Sequence, residues 1–138
     1  MTIFLGGSCN PTTWRDDVAI PMLEKAGRDY YNPQVKDWRP ELVEIEAEAK
    51  AKAKTLLFVI DKQTRAIASI LEATEMICTN RDVVLVVQDI ADNTYGIKEG
   101  ELKDLNRARA YLRDLANRYH LPIHSSVSSA IQRIIDYT

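Results

Sequence analysis

Leu56-Leu57-Phe58-Val59-Ile60 and Val83-Val84-Leu85-Val86-Val87 decide the fold. Each is an unbroken apolar run of strand length. A strand buried on both faces of a parallel sheet needs such a run, because helices cover that sheet on either side. Between the two runs lie a polar loop, residues 61–65, and a stretch, residues 66–79, that reads as helix. Strand, crossover helix and strand make a right-handed βαβ unit.

The pattern repeats outward. Residues 2–5 are short and apolar and run into Gly6-Gly7, which reads as a buried strand followed by a tight turn. Thr12 or Thr13 is expected to cap a helix that begins near Trp14, with Asp16 and Asp17 matching its dipole. Pro21 is expected to kink that helix and Gly27 to end it. Residues 29–32 read as a second strand, ended by Pro33 and followed by a loop, residues 34–40. In residues 41–55 Ala alternates with charge, which mimics a strand. Ala, Glu and Lys favour helix, and the Glu46–Lys50 and Glu48–Lys52 spacings support one, with Pro40 at its first position. Beyond the second run, residues 88–100 form a long loop of the kind that makes lids or binding loops. A helix over residues 101–119 carries Leu102, Leu105, Ala108, Leu112 and Leu115 at helical spacing. A short strand, residues 121–124, leads to a last helix capped by Ser125 or Ser126 and ending at Tyr137.

Five such alternations predict one α/β domain over residues 1–138. The expected architecture is a flavodoxin-like three-layer fold with a five-stranded parallel sheet in the order 2-1-3-4-5. Ligands of such sheets bind beyond the carboxyl ends of the strands, at the switch point between strands 1 and 3.

Composition narrows the partners. A net charge of −2 and no Lys/Arg run argue against a nucleic-acid polymer. Small anions remain open, since a few cations or free N–H groups hold them. Cys9 and Cys78 make no disulfide framework, and with His120 and His124 they form no metal motif, so neither metal nor cofactor is expected. No apolar run is long enough to span a membrane. MTIFLGGS lacks the charged and apolar regions of a signal peptide, so the cytoplasm is the expected compartment.

Several residues fall at the expected cleft. Gly6, Gly7, Ser8 and Asn10 could let a ligand approach the backbone, or simply turn the chain. Glu72, early in the third helix, could attack an anomeric carbon or act as a base, or could be a solvated helix residue. On a helical wheel it lies roughly 160° from the stripe Ile67, Ile70, Leu71, Thr74, Cys78, which directs it to the cleft mouth or to water. Asp61 is either an acid, base or hydroxyl binder, or a turn residue bonded locally. Arg15, Lys62 and Arg65 could hold an anion. Asp37 and Trp38 could wall a pocket, Trp38 stacking on a base, as could Tyr30, Tyr31 and Tyr95. Cys9 lies at a helix start, where a thiol pKa can fall.

Three stretches, IFLGGSCNPTTWRDD (residues 3–17), YYNPQVKDW (residues 30–38) and AIASILEATE (residues 66–75), together resemble the nucleoside 2-deoxyribosyltransferase-like family. LNRARAYLRDLA (residues 105–116) is similar to that group's distal helix. The resemblance implies cleavage or transfer of the N-glycosidic bond of a nucleoside or nucleotide, in a homo-oligomer. It implies Glu72 as nucleophile on C1′, an assisting carboxylate on the second helix nearest Glu48, and a Gly6–Ser8 loop bordering sugar or base. Beside these, Asp61 stands as a candidate near the chemistry, and Asn10, Arg15, Asp37, Trp38, Arg65 and Ser69 as candidates around the substrate. Residues 66–69 here carry no carboxylate where such transferases have an Asp. The alternative is a module that binds or senses a nucleotide derivative without cleaving it.

Overall fold

Alternation along the central strand divides the core in two. The computed structural model describes every residue except Met1, Asn93 and Tyr95. In it β3 spans Thr55–Ile60 and is buried throughout. Leu56, Phe58 and Ile60 enter one hydrophobic cluster, Leu57 and Val59 the other. β4, Val83–Val87, divides in the same way. Successive strand side chains point to opposite faces, so both faces demand apolar residues.

β1 (Thr2–Gly7), β2 (Asp29–Tyr31) and β5 (Ile123–His124) complete an all-parallel sheet in the order β2-β1-β3-β4-β5. α1 (Ile20–Lys25) and α5 (Val127–Asp136) cover one face through Leu23, Ala130, Ile131 and Ile134. α3 (Ile67–Cys78) and α4 (Glu99–Arg118) cover the other through Ala73, Met76, Ile77, Leu112 and Ala116, with α2 (Leu42–Lys52) on the same side. This is the expected three-layer flavodoxin-like fold. Among the described residues no helix is long and apolar enough to cross a membrane.

Local details depart from the sequence reading. β1 does not end before its glycines: Gly6 and Gly7 pair with Phe58 and Val59 inside the sheet. A Cβ at Gly6 would stand 2.7 Å from the Phe58 ring. Gly7 sits at φ +115°, and a Cβ there would collide with the backbone of Val59. Neither Thr12 nor Thr13 caps a helix. Thr12 donates its hydroxyl to the Ser8 and Cys9 carbonyls, and Thr13 donates to Asp17. Ahead of Pro21 the chain makes a π-helical turn, Arg15–Ala19, in which the Ile20 amide donates to the Arg15 carbonyl. Proline offers no N–H to a carbonyl four residues back, and the wider turn shifts the pairing before it arrives. Pro40 precedes α2 instead of starting it, and Thr55 belongs to β3, its hydroxyl bonded to Asp82 at 2.8 Å.

α3 also turns differently. Its buried residues are Ala73, Met76 and Ile77, while Ile67 and Leu71 are 68% and 72% exposed. Small Ala73 faces the sheet; of the expected stripe, Ile70 still packs against the core while Ile67 and Leu71 face outward. Ala66, which caps this helix, has φ +58°.

Two substitutions test the backbone reading. Gly7→Ala is expected to cost about 3 kcal/mol or more, through the strained φ and the clash with Val59. Ala66→Gly relieves a left-handed alanine and is expected to gain about 1 kcal/mol. Chemical denaturation of the two variants beside the parent checks both signs.

Candidate active site

The carboxyl ends of β1 and β3 are tied together through one side chain. The Ser8 amide donates to the Val59 carbonyl at 2.8 Å. Ser8 Oγ accepts the Asp61 amide at 2.9 Å and the Thr64 hydroxyl at 2.6 Å. Beneath this junction lies Arg15, at the start of the π turn and 1% exposed. Its Nε donates to the Leu5 carbonyl at 2.9 Å, Nη1 to that of Ser8 at 2.8 Å and Nη2 to that of Gly7 at 3.3 Å. Nη1 also reaches Gln34 Oε1 at 3.3 Å, and Gln34 Nε2 donates to Asn10 Oδ1 at 3.0 Å, which joins the chain after β2 to the loop after β1. The Trp14 indole donates to the Ser8 carbonyl as well, and its ring lies 4.2 Å from the Arg15 guanidinium.

A second buried arginine holds the loop after β3. Arg109 of α4 is fully buried. Its Nη2 donates to the carbonyls of Asp61 and Thr64, at 2.9 and 2.7 Å, and its Nη1 to that of Arg65 at 3.3 Å. Its Nε donates to the Gln88 carbonyl at 2.8 Å, after β4. Burial pushes both guanidinium pKa values down, but neither group loses its charge, and ring upon ring of carbonyl oxygens replaces the lost water.

Between these braced loops opens a cavity of about 620 Å³, the size of a small-molecule site. Phe4, Gly6 and Gly7 line it from β1, and Ser8 and Asn10 from the loop that follows. Lys36 and Trp38 enter after β2. Ala66, Ser69 and Glu72 enter from the start of α3, and Glu46 from α2. Glu72 Oε2 is 2.8 Å from Lys50 Nζ, an ion pair whose side chains are 31% and 13% exposed. Glu46 lies one helical turn before Lys50 on the same face of α2. Its own burial, and then the Glu72 carboxylate, raise its pKa above the usual carboxylate value, with Lys50 and Arg15 offsetting only part. The cavity therefore holds two carboxylates in unlike settings: one ion-paired, one drawn toward its protonated form.

Of the residues expected here from sequence, Gly6, Gly7, Ser8, Asn10, Trp38, Ser69 and Glu72 line the cavity. Glu72 faces neither core nor open water, because the core face of α3 is Ala73, Met76 and Ile77. Glu48 does not line it: it is exposed and pairs with Lys52 at 2.7 Å. Two residues along a helix turn the side chain by roughly 200°, so Glu46 faces inward where Glu48 faces out. Asp61 is buried and outside the lining, its carboxylate accepting the Gln63 amide in a local turn. Arg15 is spent on carbonyls under the loop. Asp37 is exposed and outside the lining. Arg65 lines a neighbouring pocket and donates through Nε and Nη2 to Glu101, at 3.0 and 2.8 Å. Tyr30 donates to Glu24, and Tyr31 stacks on Phe4 at 5.7 Å, so both support the scaffold. Tyr95 lies outside the described residues. Cys9 lines the cavity, its sulfur 3.5 Å from the Gly7 carbonyl, and burial raises its thiol pKa against a smaller opposing pull from Arg15. Sequence reading missed Glu46 as the inward carboxylate, Lys50 as partner of Glu72, and Arg109. Only the Glu46–Lys50 spacing was visible, and it pointed to a pair within α2.

Residues 1–90 match the model of a family described as nucleoside 2-deoxyribosyltransferase like, which is 90 of 138 residues. The chain belongs to this family. No curated protein matches it. The nucleoside 2-deoxyribosyltransferase-like segment runs from β1 through β4 and contains every residue that lines the cavity, while residues 105–116 lie beyond it. Membership supports a nucleoside-related function in the broad sense.

Glu46 makes stability depend on pH. Its pKa is higher folded than unfolded, so its ionisation weakens the fold as pH rises through the carboxylate range. Glu46→Gln removes that cost. The variant is expected to be more stable than the parent at about pH 7 and equal to it near about pH 3, where both states hold the proton. Thermal unfolding across this range is the measurement.

Proposed function

We propose that this chain cleaves the N-glycosidic bond of a (deoxy)nucleoside or nucleotide, with Glu72 as nucleophile and Glu46 as acid and base. The observation that carries the reading is the pair of carboxylates on α2 and α3, facing one cavity in unlike surroundings: Glu72 beside the Lys50 ammonium, Glu46 with its pKa raised by burial. Unlike surroundings divide acid from nucleophile in two-carboxylate glycosidic chemistry. The Glu72 carboxylate attacks C1′ and forms an ester. The C1′–N bond breaks, its electron pair goes to the base, and Glu46 gives its proton to that base. Glu46 then takes a proton from water, whose oxygen attacks C1′ and frees Glu72. Configuration is retained through the two displacements. Trp38, 58% exposed at the cavity, offers a ring for the base to stack on. Water is the acceptor in this reading, because the turn over residues 66–69 brings no carboxylate to handle a second base. Exposed Ile67 and Leu71, beside the cavity on α3, support a homo-oligomer that covers them.

The ion pair between Glu72 and Lys50, with that absent carboxylate, favours a second reading: a cavity that binds a nucleotide derivative without breaking it.

Incubation with a panel of deoxynucleosides and deoxynucleotides, with free base measured, separates the two. The parent is expected to release base, Glu72→Gln to lose roughly 10³-fold or more of that rate, and Glu46→Gln roughly 10²-fold. A 2-fluorinated analogue is expected to label Glu72. Tight binding with no release would leave the second reading, and release unaffected by Glu72→Gln would remove the first.

A further inference from the structure

A second pocket, of about 360 Å³, adjoins the cavity and shares Asn10 and Thr64 with it. One wall is apolar, built of Pro11, Ile90 and Ile97. Lys62 and Arg65 line it, and among the described residues no carboxylate does. The larger cavity carries Glu46 and Glu72 with one cation, Lys36, in its lining, and Glu72 is paired with Lys50. Along this groove the pocket by the loop after β3 is the part lined by cations without a carboxylate. Among the described residues Lys62 forms no ion pair. Arg65 gives one edge to Glu101, and its Nη1 bonds to nothing among the described residues. The segment that carries both cations is held from beneath: Arg109 takes the carbonyls of Asp61, Thr64 and Arg65, and Ser8 takes the Asp61 amide. Two cations on a braced loop form a site that needs little ordering when an anion arrives.

We propose that this pocket is a phosphate subsite, and that the ligand is therefore a nucleoside phosphate. The inference rests on the reading of the larger cavity as the nucleoside site. Sugar and base occupy the larger cavity, and the phosphate crosses the Asn10–Thr64 boundary to Lys62 and Arg65. Ammonium and guanidinium groups bind phosphate through charge-assisted hydrogen bonds. The same arrangement favours one direction for the ligand: with the phosphate on the carboxylate-free pocket, the anomeric carbon is left beside Glu72.

The test is calorimetric titration of the Glu72→Gln protein, which binds without turnover, using deoxynucleosides and their 5′-monophosphates at low salt. At least one monophosphate is expected to bind about tenfold or more tightly than its nucleoside, and added salt should narrow the gap. Lys62→Ala should bring the ratio of the two affinities close to one, and Lys62→Glu should invert it. Equal binding of nucleoside and monophosphate, or a ratio that survives Lys62→Ala, overturns the subsite and leaves the nucleoside reading standing. Failure of both ligand classes to bind, with no base released by the parent chain, overturns both.

Discussion

At their carboxyl ends β1 and β3 come so close that Gly7 leaves no room for a Cβ, and the site depends on that contact. Gly7 holds a φ that other residues avoid and lies against the backbone of Val59. Only then does Ser8 arrive with its amide on the Val59 carbonyl and its hydroxyl under Asp61 and Thr64. One missing Cβ therefore sets how far apart the two loops stand. Everything that lines the cavity from β1, and the start of α3 opposite, takes its position from there.

Two buried arginines keep that arrangement from relaxing. Arg15 collects carbonyls from the end of β1, and Arg109 collects those of the loop after β3. Among the described residues neither is paired with a buried carboxylate. Each is solvated by peptide dipoles, which cannot leave as water can. Both loops are thus tied to cations. Arg15 also acts on the cavity, where its charge offsets part of the rise that burial imposes on the Glu46 and Cys9 pKa values.

The sheet was legible because its central strands are buried on both faces, which leaves LLFVI and VVLVV no freedom to be polar. Strand order followed from alternation and handedness. Helix phase was not legible. In residues 41–55 Ala alternates with charge, so no apolar stripe says which Glu faces inward, and Glu48 was favoured over Glu46. In α3 the stripe misled, because a small residue, Ala73, packs on the sheet while Ile67 and Leu71 stay exposed. The buried arginines leave no mark in a sequence, since their partners are carbonyl groups that every residue carries. Gly6-Gly7 showed that the backbone comes close to something; that the next strand, and not the cavity alone, demands them appears only in the register.

α2 has no residue that is buried in the core, yet it carries Glu46 and Lys50. Polar ties hold its carboxyl end beside the small contacts of Ala49 and Ala53: Arg81 donates to the carbonyls of Lys50 and Ala53, at 2.7 Å each, and Lys50 reaches across to Glu72. The separation of the two carboxylates thus depends on these ties as well as on the packing of Ala49 and Ala53 against the core. A helix held this way opens at lower free energy than the sheet beside it. Ionic strength, which leaves the core untouched, acts directly on the gap across which a sugar would have to fit.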